Sequence, residues 1–134
     1  MLSRLLLALL ALLALVACAG PSPAPGPLVE EQQVHGLTIG LEAPVQPKLN
    51  QAQDLTVTLK DDQGAPVGDA AVSFDLTMPE HPMGTNTPLA QAVGEGSYRA
   101  SNVVMNMTGA WEIEVIANVQ GREYRAVFKR TVVE

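Results

Sequence analysis

The stretch that decides the fold is Trp111-Glu112-Ile113-Glu114-Val115-Ile116-Ala117-Asn118-Val119, then Gln120-Gly121, then Arg122-Glu123-Tyr124-Arg125-Ala126-Val127-Phe128-Lys129. In the first run Trp111, Ile113, Val115, Ala117 and Val119 alternate with polar Glu112, Glu114 and Asn118. In the second, Tyr124, Ala126 and Phe128 alternate with Arg125, Val127 and Lys129. A strand turns successive side chains to opposite faces, so each run has one apolar face. Two such runs joined through Gln-Gly predict a tight β-hairpin. One packed face and one wet face point to an antiparallel sheet.

The same period extends upstream. Leu37, Ile39 and Leu41 share a phase, as do Leu55, Val57 and Leu59, and Val72, Phe74, Leu76 and Met78. Asp61-Asp62-Gln63-Gly64 and Gly94-Glu95-Gly96 punctuate the runs as turns. After Cys18 no twelve-residue window carries a helical stripe free of Gly or Pro. The pattern predicts about seven strands, at 35–42, 54–61, 69–78, 88–93, 97–105, 110–119 and 122–133. Seven short strands in about a hundred residues predict an all-β fold, an immunoglobulin-like antiparallel β-sandwich spanning 34–134. Trp111 is the expected core anchor, facing Phe74, Tyr98 and Phe128.

The N-terminus reads differently. Arg4 precedes an unbroken apolar run from Leu5 to Ala17. That is too short to cross a bilayer but suits the hydrophobic part of a signal peptide. Leu15-Val16-Ala17-Cys18 resembles the lipobox of bacterial lipoproteins, and Cys18 is the only cysteine. The resemblance implies removal of residues 1–17 and acylation of Cys18, a membrane anchor. It places the mature chain outside the cytoplasm, at the periplasmic face or cell surface. Ala19 after the cysteine implies the outer membrane in a cell that has one. Residues 18–33 are expected to be a tether. In it Pro21, Pro23, Pro25 and Pro27 favour an extended conformation.

Composition narrows the function. Of the 134 residues, 47% are hydrophobic, and the formal net charge is −6. Much of that apolar excess belongs to the leader; without it the share is ordinary for a soluble domain. No basic excess exists to neutralise phosphates, which excludes a nucleic-acid partner. The two histidines, His35 and His81, stand beside no nucleophile motif, so no catalytic residues are assigned and the chain is read as not an enzyme. With a single cysteine, no disulfide supports the fold.

One segment resists the strand pattern: Met78-Pro79-Glu80-His81-Pro82-Met83-Gly84-Thr85-Asn86-Thr87-Pro88. Its prolines forbid regular pairing. Beyond the initiator, the four methionines fall in two clusters, Met78 with Met83 and Met105 with Met107. Thioethers with an imidazole form a soft, neutral donor set that suits Cu(I). His81, Met83, Met78, Met107 and Met105 are therefore the candidate metal ligands, with copper as the candidate metal. The alternative is packing: Met78 is in phase with Leu76, and Met105 or Met107 can fill core gaps equally well. His35 is expected to be solvated.

Four pieces in this order resemble the YtkA-like/FixH-like domain of bacterial extracytoplasmic proteins. They are Gly68-Asp69-Ala70-Ala71-Val72-Ser73-Phe74, Met78-Pro79-Glu80-His81 with Gly84, Gly94-Glu95-Gly96-Ser97-Tyr98, and Met107-Thr108-Gly109-Ala110-Trp111-Glu112-Ile113. The resemblance implies an immunoglobulin-like sandwich and an association with copper handling or oxidase assembly. Met78, His81 and Met107 match its Met/His-bearing segments. Where the family loop often has a second histidine, Pro82-Met83-Gly84 follows His81. Either a Met replaces that ligand or the site is lost. FixH-type proteins carry a transmembrane helix where this chain has a lipobox. Two functions follow as expectations. One is a membrane-anchored, Cu(I)-binding protein that exchanges copper with a donor or acceptor. The other is a structural or protein-interaction module of an envelope assembly.

Overall fold

A computed structural model describes Gly20, residues 26–82 and residues 84–134. The leader, Cys18, Met83 and most of the Pro-rich tether lie outside the described residues. Eight strands follow in order: β1 (Leu28–Val34), β2 (Leu37–Ala43), β3 (Ala52–Lys60), β4 (Ala70–Thr77), β5 (Leu89–Gly94), β6 (Ser97–Val104), β7 (Gly109–Val119) and β8 (Arg122–Val132). Neighbouring strands are antiparallel throughout, in the order β1-β2-β3-β6-β5-β4-β7-β8. Short β5 carries the sheet around a corner, holding β4 through only Val72↔Ala90 and Ser73↔Leu89. The sheet thus folds over on itself. Its two ends, β1 and β8, come together at a seam bridged by side chains, Gln32 Nε2 donating to the Val127 carbonyl at 2.6 Å.

The alternation seen in the sequence is the alternation of burial. Trp111, Ile113, Val115 and Ala117 face the core, as do Phe74, Leu76, Tyr98 and Phe128. The four large aromatics assigned to the core all lie in one cluster. The Tyr98 hydroxyl donates to the Val67 carbonyl at 2.7 Å, so its burial leaves no orphan donor. Gln120 and Gly121 have φ of 51° and 80°, as a type I′ hairpin turn requires.

One boundary needs correcting. Residues 28–33, assigned to the tether, form most of β1, so the sandwich begins at Leu28 rather than Val34. β1 is an edge strand whose side chains are all exposed or half-buried, so it carries no strict apolar alternation. The turn that pairs it with β2 is Val34-His35-Gly36-Leu37. His35 and Gly36 both have positive φ, 48° and 87°, a second two-residue hairpin. His35 is therefore an exposed turn residue and not the entrance to the first strand.

The strands give the sandwich two distinct poles. At one, His35, Asp61, Asp62, Val119 and Gln120 line a common hollow. At the other meet the start of β1, the 44–51 connection, the 78–88 loop, residues 105–108 and the end of β8. The ties there are backbone hydrogen bonds: Leu49 N–H to Val133 O, Val133 N–H to Pro47 O, and Asn50 N–H to Met105 O.

Candidate functional site

The second pole carries every candidate ligand that the structure describes. β4 ends at Thr77, and Pro79 cannot continue its hydrogen bonding. The His81 N–H donates to the Met78 carbonyl at 3.0 Å and turns the chain. The descending limb then returns along β4, where Leu76 N–H reaches Asn86 O and Phe74 N–H reaches Pro88 O. The described parts of the loop thus form an elongated hairpin, with residues 79–82 and 84–85 at its tip.

Residues 104–107 lie against that tip. Gly84, Thr85 and Asn86 line a cavity of about 400 Å³ together with Val104, Asn106 and Trp111. The loop and the 105–107 segment lie at the same pole. Their methionines, however, occupy two different environments. Met78 and Met105 are buried, at 4% and 0% exposure, within the core cluster. The Met78 methyl lies 3.2 Å from where a Cβ on Gly109 would stand, and Gly109 has φ of +122°. A side chain at 109 would therefore strain the backbone and press on Met78. Met107 is 36% exposed, and His81 is exposed.

A bulge precedes Met105 and resets the phase of the chain that leads to it. The β3–β6 register shifts between Gln53 and Leu55, and Asn102 takes a positive φ of 59°. The inward phase set by Tyr98 and Ala100 passes to Val103 and Met105. The chain leaves β6 at Val104, and the Met107 carbonyl accepts a hydrogen bond from Trp111 Nε1 at 2.9 Å. Met107 is held near Trp111 by its backbone, and its thioether stays partly open to solvent.

Burial separates the candidate donors. Met78 and Met105 give their side chains to packing, whereas His81 and Met107 remain accessible. Among the described residues no group of three His, Cys, Asp or Glu side chains is placed to hold a metal ion. A metal at this pole would therefore draw on His81 and thioether sulfur. Met105→Ala is expected to cost about 2–5 kcal/mol of stability and to leave Cu(I) affinity of the folded fraction unchanged. Urea unfolding and chelator competition on the same variant check both halves.

Beside this loop a second cleft, of about 580 Å³, crosses the β1/β8 seam. Trp111 forms part of its wall too, with Leu28, Val45, Pro79, Glu80 and Arg130. Arg130 was not singled out in the sequence, although it continues the inward phase of Ala126 and Phe128 and so places a charge at a core position. Its side chain is 3% exposed and pairs with Glu30 at 2.6 Å. Nε donates to the Pro44 carbonyl, and Nη1 also donates to the Lys129 carbonyl. This residue ties β8 to β1 and to the 44–51 connection. Glu30→Ala removes the carboxylate from a buried guanidinium, at an expected cost of about 1–3 kcal/mol. Faster amide exchange across 28–34 is the local readout.

The fold and this pole define a small β-sandwich whose loops, not its sheet faces, carry the distinctive chemistry. A solved structure with the same fold is described as "Crystal structure of the Lin-41 filamin domain"; it superposes with a TM-score of 0.52 at 12% identity, covering 81% of this chain and 98% of that one. No curated protein matches the chain. The model of the family described as YtkA-like matches residues 31–116, and the chain belongs to that family. The match runs from within β1 to within β7 and includes the whole 78–88 loop and the 105–111 segment. Domains of this family and fold are typically not enzymes.

Proposed function

We propose that the protein is a lipid-anchored extracytoplasmic domain that carries Cu(I) as cargo on the loop pole. His81 and Met107 are the accessible donors. Met83, two residues after His81, supplies a further thioether. Met78 and Met105 root the two donor segments in the core. The observation that carries this reading is the division of the methionines. Two of the four that follow the initiator are buried among apolar side chains, while Met107 stays open at the pole that bears an exposed His81.

The chemistry fits such a role. Thioether and imidazole are neutral, soft donors that hold Cu(I) without the thiolates an oxidising compartment would attack. Exposed donors on a loop also suit release, since a partner can approach them directly. The acyl chains on Cys18 keep the carrier at a membrane. Competition for Cu(I) against a colourimetric chelator tests the assignment, with His81→Ala as the diagnostic variant.

A further inference from the structure

We infer that the pole bearing His81 and Met107 faces the membrane to which Cys18 is anchored, and that its partner is a protein embedded in that membrane. The inference rests on the anchored-carrier reading and adds the direction of the site and the class of its partner.

The tether arrives at the loop pole. Leu28 opens β1 and pairs with Ala43 at the end of β2. It lines the seam cleft together with Pro79, Glu80 and Trp111. The chain therefore enters the sandwich at the loop pole, not at the pole of His35, Asp61 and Gln120.

The tether is also short. Nine residues separate Cys18 from Leu28. Fully extended, they reach about 32 Å, and as polyproline helix about 28 Å. β7 and β8 each run eleven residues, which at about 3.3 Å per residue makes the sandwich about 36 Å long. The tether is shorter than the domain it holds. The domain therefore cannot stand inverted with its far pole on the bilayer and its loop pole above, and the loop pole stays within about 32 Å of the membrane.

The surface of this pole favours protein over lipid. Adsorption to anionic headgroups needs a cluster of free Lys and Arg. The described cations near this pole lie beside acceptors. Lys48 Nζ donates to the Glu134 carbonyl at 2.9 Å, Lys129 lies 3.8 Å from Glu112, and Arg130 is buried against Glu30. Arg99 shares a hollow with Glu42 and Asp54. Around the loop, Leu28, Val45, Val104 and Met107 are 36–40% exposed. A rim of medium apolar side chains, with its few cations dispersed beside acceptors rather than clustered, matches a protein surface better than a headgroup layer. A partner in the membrane needs to project no more than about 30 Å, the reach of the tether.

The test uses the full lipidated chain. In one arm, Thr85→Cys at the loop pole and Gln63→Cys at the far pole are separately labelled with a donor dye. Each is placed in phosphatidylethanolamine/phosphatidylglycerol vesicles that carry a headgroup acceptor. Energy transfer is expected to be at least twofold stronger from position 85. Equal or reversed transfer overturns the orientation, and a chain that washes off the vesicles removes the anchor and the inference with it. In the other arm, a photocrosslinking residue replaces Thr85 or Gln63 in native membranes. An adduct with a detergent-extracted membrane protein, formed from position 85 and not from 63, supports the partner class. Adducts with lipid alone, adducts with a soluble protein, or none from position 85 overturn it. A failed Cu(I) titration leaves the transfer ratio unchanged, so the cargo and the orientation fail separately.

Discussion

Trp111→Ala is expected to lower the stability of the domain by about 3–5 kcal/mol, a large part of the 5–15 kcal/mol typical of such domains. Trp111 is 2% exposed and sits on the inner face of β7 opposite Arg130 of β8. Its removal takes away the largest side chain of the core near the loop pole. It also withdraws the donor from the Met107 carbonyl and breaches the wall shared by both cavities. Far-UV circular dichroism in urea is the right probe, because this is the only tryptophan and its fluorescence leaves with it. Trp111→Phe separates the two contributions. It keeps most of the buried area and loses the hydrogen bond, at about 0.5–1.5 kcal/mol. The phenylalanine variant stays folded and shows its effect in the position of Met107.

Met107→Ala is expected to do the reverse. The side chain is 36% exposed, so stability changes by no more than about 0.5 kcal/mol. Cu(I) affinity falls at least tenfold, about 1.4 kcal/mol, because a soft donor is lost from a site of low coordination number. Set beside Met105→Ala, the pair forms a double dissociation. The expected outcome is that Met105→Ala changes stability and Met107→Ala changes metal affinity, although the two stand two residues apart in sequence. Unchanged affinity in Met107→Ala would remove this thioether from the ligand set.

Much of the sandwich was legible because alternation and burial are the same fact in β7, β8, β4 and β3. The strands with weak alternation show where that stops. β1 carries Leu28 and Val29 side by side and then polar residues to Gln33, since an edge strand hides neither face fully. Its His35-Gly36 turn was the readable sign, a two-residue link between chain segments of strand length. The bulge at Asn102 was not readable in the same way. Ser101-Asn102 is polar and breaks the phase, but a sequence period does not reveal on which side of the break Met105 will fall. That shift of phase turned Met105 inward, and the end of β6 at Val104 released Met107 from the strand alternation that would have put it on the same face. Arg130 was hidden by the opposite habit, the expectation that a charged residue faces water. Its phase with Phe128 is the signal of burial, and its partner is Glu30 on the strand that alternation had missed.

We propose that the loop pole binds Cu(I) through His81. Its most direct test is a titration of Cu(I) into the protein against a colourimetric chelator under reducing conditions, with wild type and His81→Ala side by side. The expected result is a wild-type dissociation constant well below micromolar, weakened at least tenfold by the substitution, about 1.4 kcal/mol. A micromolar or weaker affinity that is the same in both proteins would contradict it.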